Sequence, residues 1–129
     1  MNHILIKIET VFDNDYLYVL LIFLIFDIIT GTLKSFSNNT VYSKINRKGI
    51  TTHIAIFLFT TFFSWVFSIF NAKEYSDIII MFYIASYGLS IIENIGQMGL
   101  PLPKWLTGKF KMLQEETDEE VKNETERTE

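Results

Sequence analysis

The chain has 129 residues, enough for one domain, and 49% of them are apolar. Its net charge of −4 hides two regions of opposite sign: Glu115–Glu129 holds eight acids and two bases, and the remainder holds nine bases and seven acids. Cysteine is absent and the two histidines, His3 and His53, are scattered, which excludes disulfide and thiolate chemistry and leaves no expectation of a metal or other cofactor.

Residues 1–15 form a lead-in. Ile4, Leu5, Ile8, Val11 and Phe12 recur at helical spacing, so this segment reads as an amphipathic helix on a membrane surface or as an unstructured approach. It lacks a basic start and a small-residue cleavage site, so no cleavable signal is expected. Asp13-Asn14-Asp15 offers helix N-caps immediately before the first apolar run.

Three apolar runs follow within residues 16–100. Tyr16–Leu33 has 18 residues and one charge, Asp27; Ile54–Phe70 has 17 and none; Ile78–Ile95 has 18 and one, Glu93. About 17–25 apolar residues span a bilayer as a helix. Ile, Phe and Tyr favour strands in water, but lipid forces each segment to satisfy its own backbone, and helix results. A soluble bundle of these runs would keep too little polar surface to cover its core. The expected fold is therefore all-α: an integral membrane protein with three transmembrane helices.

Basic residues orient the spans. The first connection, Lys34–Ile50, reads as a loop with Lys34, Lys44, Arg47 and Lys48 and no acid, and Gly49 reads as the start of the second helix. Lys104, Lys109 and Lys111 follow the third span, whereas Asn71–Asp77 carries mixed charge. Short cytoplasmic loops hold the Lys/Arg excess. The first loop and C-terminus are expected in the cytoplasm, and the N-terminus and second loop outside.

Pro101 and Pro103 stop the third helix. Over residues 101–114, Leu102, Trp105, Leu106, Phe110 and Leu113 recur near helical spacing among lysines, predicting a basic interfacial helix lying flat on the cytoplasmic leaflet. The acidic stretch 115–129 reads as a disordered tail, with a continuing frayed helix as the alternative.

Each span carries a polar stripe. Asp27, Thr30, Gly31 and Lys34 share one face of the first span, and Thr60, Ser64 and Ser68 one face of the second. Ser86, Ser90, Glu93, Asn94 and Gln97 form the longest stripe, on the third. One reading is glue: small residues and hydroxyls bond helices within a monomeric bundle. The charges call for more, because an acid at the centre of a spanning helix costs about 2.5–3.5 kcal/mol on insertion scales. Asp27 and Glu93 lie toward the expected cytoplasmic end, where they pair with Lys34, Arg47 or Lys48, protonate, or line a water-filled contact between subunits. Asp27, Thr30, Gly31, Ser86, Ser90, Glu93, Asn94 and Gln97 are thus the candidates for an oligomer or pore face. There is no Ser-His-Asp set, phosphate-cradling glycine loop or metal spacing, so no enzymatic activity and no catalytic residue are expected.

Asp27-Ile28-Ile29-Thr30-Gly31-Thr32-Leu33-Lys34 resembles the first-span signature of the phage lysis and toxin-secretion holin family, which includes the holin of clostridial toxin loci. The resemblance continues through Ser43-Lys44, Arg47-Lys48-Gly49-Ile50, Ser90-Ile91-Ile92-Glu93-Asn94-Ile95-Gly96 and Gly99-Leu100-Pro101-Leu102-Pro103. It covers most of residues 27–106 in the family's order, and Asp27, Gly31, Glu93, Asn94, Gly96 and Pro101 carry over as its signature. Thr52-His53 stands where relatives often have further lysine, and Ser35-Phe36 where an Ala-aromatic pair is commoner.

The resemblance implies a protein that accumulates in the bacterial cytoplasmic membrane and homo-oligomerises into holes. Its partners would be other copies of itself, the lipid bilayer and a cell-wall hydrolase (endolysin) or toxin that escapes without necessary direct contact; no nucleic acid is implied. The alternatives from the residues are a small ion channel or transporter subunit using Asp27 and Glu93, and a non-conducting adaptor recruiting a soluble partner.

Overall fold

The computed structural model describes residues 13–37 and 43–128. The amphipathic reading of residues 1–12 lies outside the described residues. Four helices follow in order: α1 (Asp15–Ser37), α2 (Ser43–Ile69), α3 (Lys73–Gln97) and α4 (Lys104–Thr128). The all-α expectation is met, and α1, residues Gly49–Ile69 of α2, and α3 are each long and apolar enough to cross a membrane.

Polar groups at the helix ends position these elements. Asn14 caps α1, its Oδ1 accepting the Tyr16 N–H at 3.1 Å. Its Nδ2 donates to Asp77 Oδ1 at 3.2 Å, tying the start of α1 to the start of α3. At the end of α2, Asn71 takes a positive φ of 55°. The Asn71 and Ala72 amides then close back on Ser68 and Phe67 carbonyls at 3.3 and 2.9 Å. Gly99, with φ of 84°, does the same for α3. Its amide reaches the Gly96 carbonyl at 3.0 Å, and the Leu100 amide reaches Ile95 at 3.4 Å. Both ends are Schellman motifs, so α3 is stopped by Gly99 before either proline is reached.

α1 and α3 run parallel, because α2 carries the chain back between them. Leu17, Leu20 and Leu24 from α1 meet Ile80, Ile84 and Tyr87 from α3 in the buried core. These residues recur at three- and four-residue steps, which place them on one face of each helix. α2 is the most exposed of the three. Its Thr60 and Ser64 are buried, and Thr60 Oγ1 donates to its own helix, at Ile56 and Phe57 carbonyls. Around the outside, Ile22, Ile25, Phe26, Ile29, Ile54, Leu58 and Phe62 are exposed. A water-soluble surface would not carry so continuous an apolar band, and lipid suits it.

Two further expectations change. Part of the expected first loop is helical: Lys34 lies in the last turn of α1, and Lys44, Arg47 and Lys48 lie in the first turns of α2. α2 also begins at Ser43, ahead of Gly49. Lys and Arg are good helix formers, and no proline interrupts this stretch. Likewise, the acidic stretch is helical through Thr128 and continuous with the basic segment, which is the alternative weighed for it. Glu, Lys, Leu and Met favour helix, and Asp118 precedes Lys122 by four residues, the spacing that supports a helical ion pair.

α4 folds back along α3, on a groove it shares with α1. The Phe110 ring lies 6.0 Å from that of Phe23 and sits where a Cβ on Gly88 would fall. A larger residue at Gly88 would require the Phe110 ring to move.

Candidate functional site

The helix faces that make the core continue, toward the C-terminal ends of α1 and α3, into a buried polar cluster. Asp27, one turn beyond Leu24, is 8% exposed and Asn94 is 7% exposed. Asn94 Nδ2 lies 3.4 Å from both Asp27 Oδ1 and Thr30 Oγ1, so a single amide joins α3 to two positions of α1. Thr30 Oγ1 also donates to the Asp27 carbonyl at 3.2 Å. Asn94 packs directly over Gly31: a Cβ at that position would lie 3.6 Å from Nδ2, in ordinary contact.

α2 contributes the third side. His53 Nε2 lies 3.5 Å from Asp27 Oδ2, and His53 Nδ1 is 2.9 Å from the Tyr87 hydroxyl. The His53 and Tyr87 rings are 5.2 Å apart and tilted. A neutral imidazole satisfies both contacts when Tyr87 O–H donates to Nδ1 and Nε2–H points at the carboxylate. An imidazolium satisfies them with both ring N–H groups donating. One residue from each spanning helix therefore meets at Asp27.

The contacts made by the carboxylate are long for direct hydrogen bonds. Beside them is a cavity of about 110 Å³ lined by Asp27, Gly31, Gly49, His53 and Asn94 among others. At ~30 Å³ per molecule, such a space admits a few waters, and these polar walls give them partners. Among the described residues, no group of three or more His, Asp or Glu side chains could hold a metal ion.

The expected pore-face residues divide. Asp27, Thr30, Gly31 and Asn94 come together. Ser86 is half-buried, its hydroxyl donating to its own helix at Phe82, and Ser90 is also half-buried. Glu93 and Gln97 are exposed. The split follows from 100° per residue: Ser86, Ser90, Glu93 and Gln97 share one face, and Asn94 turns off it into the bundle. Lys34 is half-buried at the end of α1, where a cation complements the helix dipole. The side chains of Lys44, Arg47 and Lys48 lie outside the described set.

Sequence reasoning missed His53 and Tyr87. Both carried a signal of spacing: His53 lies seven residues before Thr60, on the stripe that Thr60 and Ser64 continue, and Tyr87 lies seven before Asn94. Two helical turns put each pair on one face.

Comparisons with known proteins place the chain among relatives. The chain is 27% identical over 110 residues to a probable holin of Bacillus phage phi105, covering 84% of this chain and 82% of that one. It is 32% identical over 108 residues to an uncharacterized protein of Listeria innocua, covering 82% and 77%. An uncharacterized protein of Clostridium perfringens is 30% identical over 97 residues, covering 73% and 71%. No solved structure matches the chain significantly. The bacteriophage holin family profile matches residues 8–115, taking in all three spanning helices, the polar cluster and the Phe110 contact. With that match over most of its length and relatives of 30% identity or more aligned along most of theirs, this multi-pass membrane protein belongs to the bacteriophage holin family.

Proposed function

We propose that the protein accumulates in the cytoplasmic membrane of a bacterial host, homo-oligomerises and opens holes through which a cell-wall hydrolase or toxin escapes, so that the host lyses. The observation that carries this reading is a polar cluster closed upon itself inside three lipid-compatible helices. A resting subunit satisfies its own polar groups and is tolerated by lipid. Once copies are crowded, the same groups can turn toward water or toward a neighbouring copy.

In this reading Asp27, Thr30, Gly31 and Asn94 hold the resting bundle, with His53 and Tyr87 as their third wall. Ser86, Ser90, Glu93 and Gln97 form the face offered to another copy. The N-terminus lies outside and the C-terminus inside, because Lys34, Lys44, Arg47 and Lys48 gather at one end of the bundle. The hydrolase needs no contact with the protein. The ion-channel alternative is less well supported, because Asp27 is buried and Glu93 is exposed.

Induced expression beside a folded cytoplasmic reporter hydrolase tests the reading. Abrupt loss of membrane potential together with reporter release is the expected result. Selective ion flux with the reporter retained would overturn it in favour of a channel.

A further inference from the structure

Where α4 lies against α1 and α3, a space remains that the side chains leave unfilled. It measures about 310 Å³ and is lined by apolar residues, among them Phe23 and Phe26 of α1, Ile91 and Ile95 of α3, and Leu106 and Phe110 of α4. On its α1 rim, Ile22 and Phe26 are more than half exposed, so the space opens on the apolar band that faces lipid. Such walls offer water no hydrogen-bond partner, and an apolar cavity of about 150 Å³ already stays dry and takes up benzene. By that measure this one has room for roughly twelve carbons. A helix of a second copy does not fit: at a diameter of ~10 Å, three turns of helix occupy about 1,200 Å³. A single alkyl chain does fit, and the bilayer supplies alkyl chains.

One end of this space is cationic. Asn94 meets Asp27 and Thr30, so its neighbour Ile95 is level with them. Lys34 follows Thr30 by one turn, at the end of α1, and lies three turns beyond Phe23 on the same helix face. Across the groove, Leu102 lines the cavity and Lys104 begins α4 two residues later. Lys34 is half-buried and Lys104 exposed, and among the described residues neither makes an ion pair. Trp105, beside Lys104, is 67% exposed, as suits a ring at headgroup level. Glu93 and Gln97, on the same turns of α3 as Ile95, point to the far side of that helix. Two ammonium groups beyond one end of an apolar slot match a phosphate above a buried acyl chain.

We propose that the groove holds one anionic phospholipid, with an acyl chain between α1, α3 and α4 and its phosphate against Lys34 and Lys104. The chain completes the packing that Phe110 begins. The site requires only that the protein is in a membrane, so it goes beyond the hole-forming reading without resting on it.

Trp65→Phe leaves Trp105 as the one tryptophan of the full chain. In phosphatidylcholine vesicles, a small fraction of phosphatidylglycerol brominated in its acyl chains should quench Trp105 fluorescence more than the same fraction of brominated phosphatidylcholine. The expected preference in apparent affinity is about 30-fold, from two lysines near an anionic headgroup. Lys34→Gln with Lys104→Gln should bring the two lipids level. Ile95→Cys, in a chain with no other cysteine, allows octyl methanethiosulfonate to tether an alkyl chain in the groove; the preference should persist before this reaction and vanish after it. Equal quenching by the two lipids overturns the proposal. So does a preference that survives the tethered chain, which would reflect adsorption to exposed lysines, or one that survives loss of both lysines. A preference that vanishes as protein density rises would place a second copy in the groove and overturns it as well. None of these measurements requires holes to open, so failure of reporter release would count against the hole-forming reading alone.

Discussion

The Asp27–His53 contact ties α2 to the rest of the bundle, and its strength can be bounded from the structure. At 3.5 Å, a fully charged pair would attract by about 5 kcal/mol at an effective dielectric of ~20, before desolvation is subtracted. A neutral imidazole at this distance makes a weak hydrogen bond, and polar contacts between membrane helices average about 0.6 kcal/mol with a maximum near 1.7. Single variants mislead, because Asp27→Asn also removes a charge whose insertion costs about 2.5–3.5 kcal/mol. That one-site contribution cancels in a double-mutant cycle of Asp27→Asn and His53→Gln. The expected coupling is about 1 kcal/mol, measured by unfolding of the purified protein in lipid bicelles. On the proposed function, losing it shifts the resting population by a factor of about 5, so reporter release should begin earlier at matched membrane level. Coupling indistinguishable from zero would remove His53 from the cluster. Coupling above about 3 kcal/mol would contradict the weak neutral contact.

Three further outcomes follow from the same geometry. Glu93→Gln alters an exposed side chain, so the bundle's stability in bicelles should stay within ~0.5 kcal/mol while the timing of depolarisation shifts; unchanged timing at equal protein level would take Glu93 off the contact between copies. Asn14→Ala removes both the cap on α1 and the bond to Asp77, and should cost about 1–2 kcal/mol in bicelle unfolding. Gly99→Ala places a Cβ at φ of 84° and should cost about 1–2 kcal/mol, read as fraying of the last turn of α3 by amide exchange; unaltered exchange there would show that another feature ends the helix.

Spans and caps were legible in the sequence because their causes are local. Apolar length marks a bilayer crossing whatever its neighbours do, and Asn14 caps α1 through an amide two residues away. The cluster was legible only in part. Asp27, Thr30, Gly31 and Asn94 stood out because polar residues in apolar runs are conspicuous. His53 did not, since it lies at the edge of an apolar run and its partners, Asp27 and Tyr87, are 26 and 34 positions distant. Tyr87 passed as an ordinary aromatic, since nothing in α3 alone shows that its hydroxyl faces an imidazole. The third stripe was read too broadly: Glu93 and Asn94 are neighbours in sequence but differ by 100° around the helix, and one is exposed while the other is buried. The acidic stretch was read from composition, which carries charge but not the local helix preference that Glu and Lys also possess.

The lengths of the cluster's contacts bear on how such a bundle can be both stable and convertible. Between Asp27, Thr30, His53, Tyr87 and Asn94 there are four side-chain contacts: three of 3.4–3.5 Å and one of 2.9 Å. With such contacts between membrane helices averaging about 0.6 kcal/mol and reaching about 1.7 at most, they contribute roughly 2 kcal/mol together at the average and 7 at the maximum. Moving a two-state equilibrium from almost wholly resting to almost wholly open takes about 5.5 kcal/mol. The two quantities are of the same size. A tighter cluster, with several short charge-assisted bonds, would hold the subunit closed against any gain from crowding. An apolar one would leave nothing to exchange for contact with water or a second copy. On the proposed function, long contacts around one acid, beside a cavity that admits water, put the resting state within reach of association. On the proposed function, replacing a small residue at the cluster should therefore change when holes open more than whether they open: Gly31→Ala, meeting Asn94 at 3.6 Å, should shift the onset of release and leave its final extent unchanged.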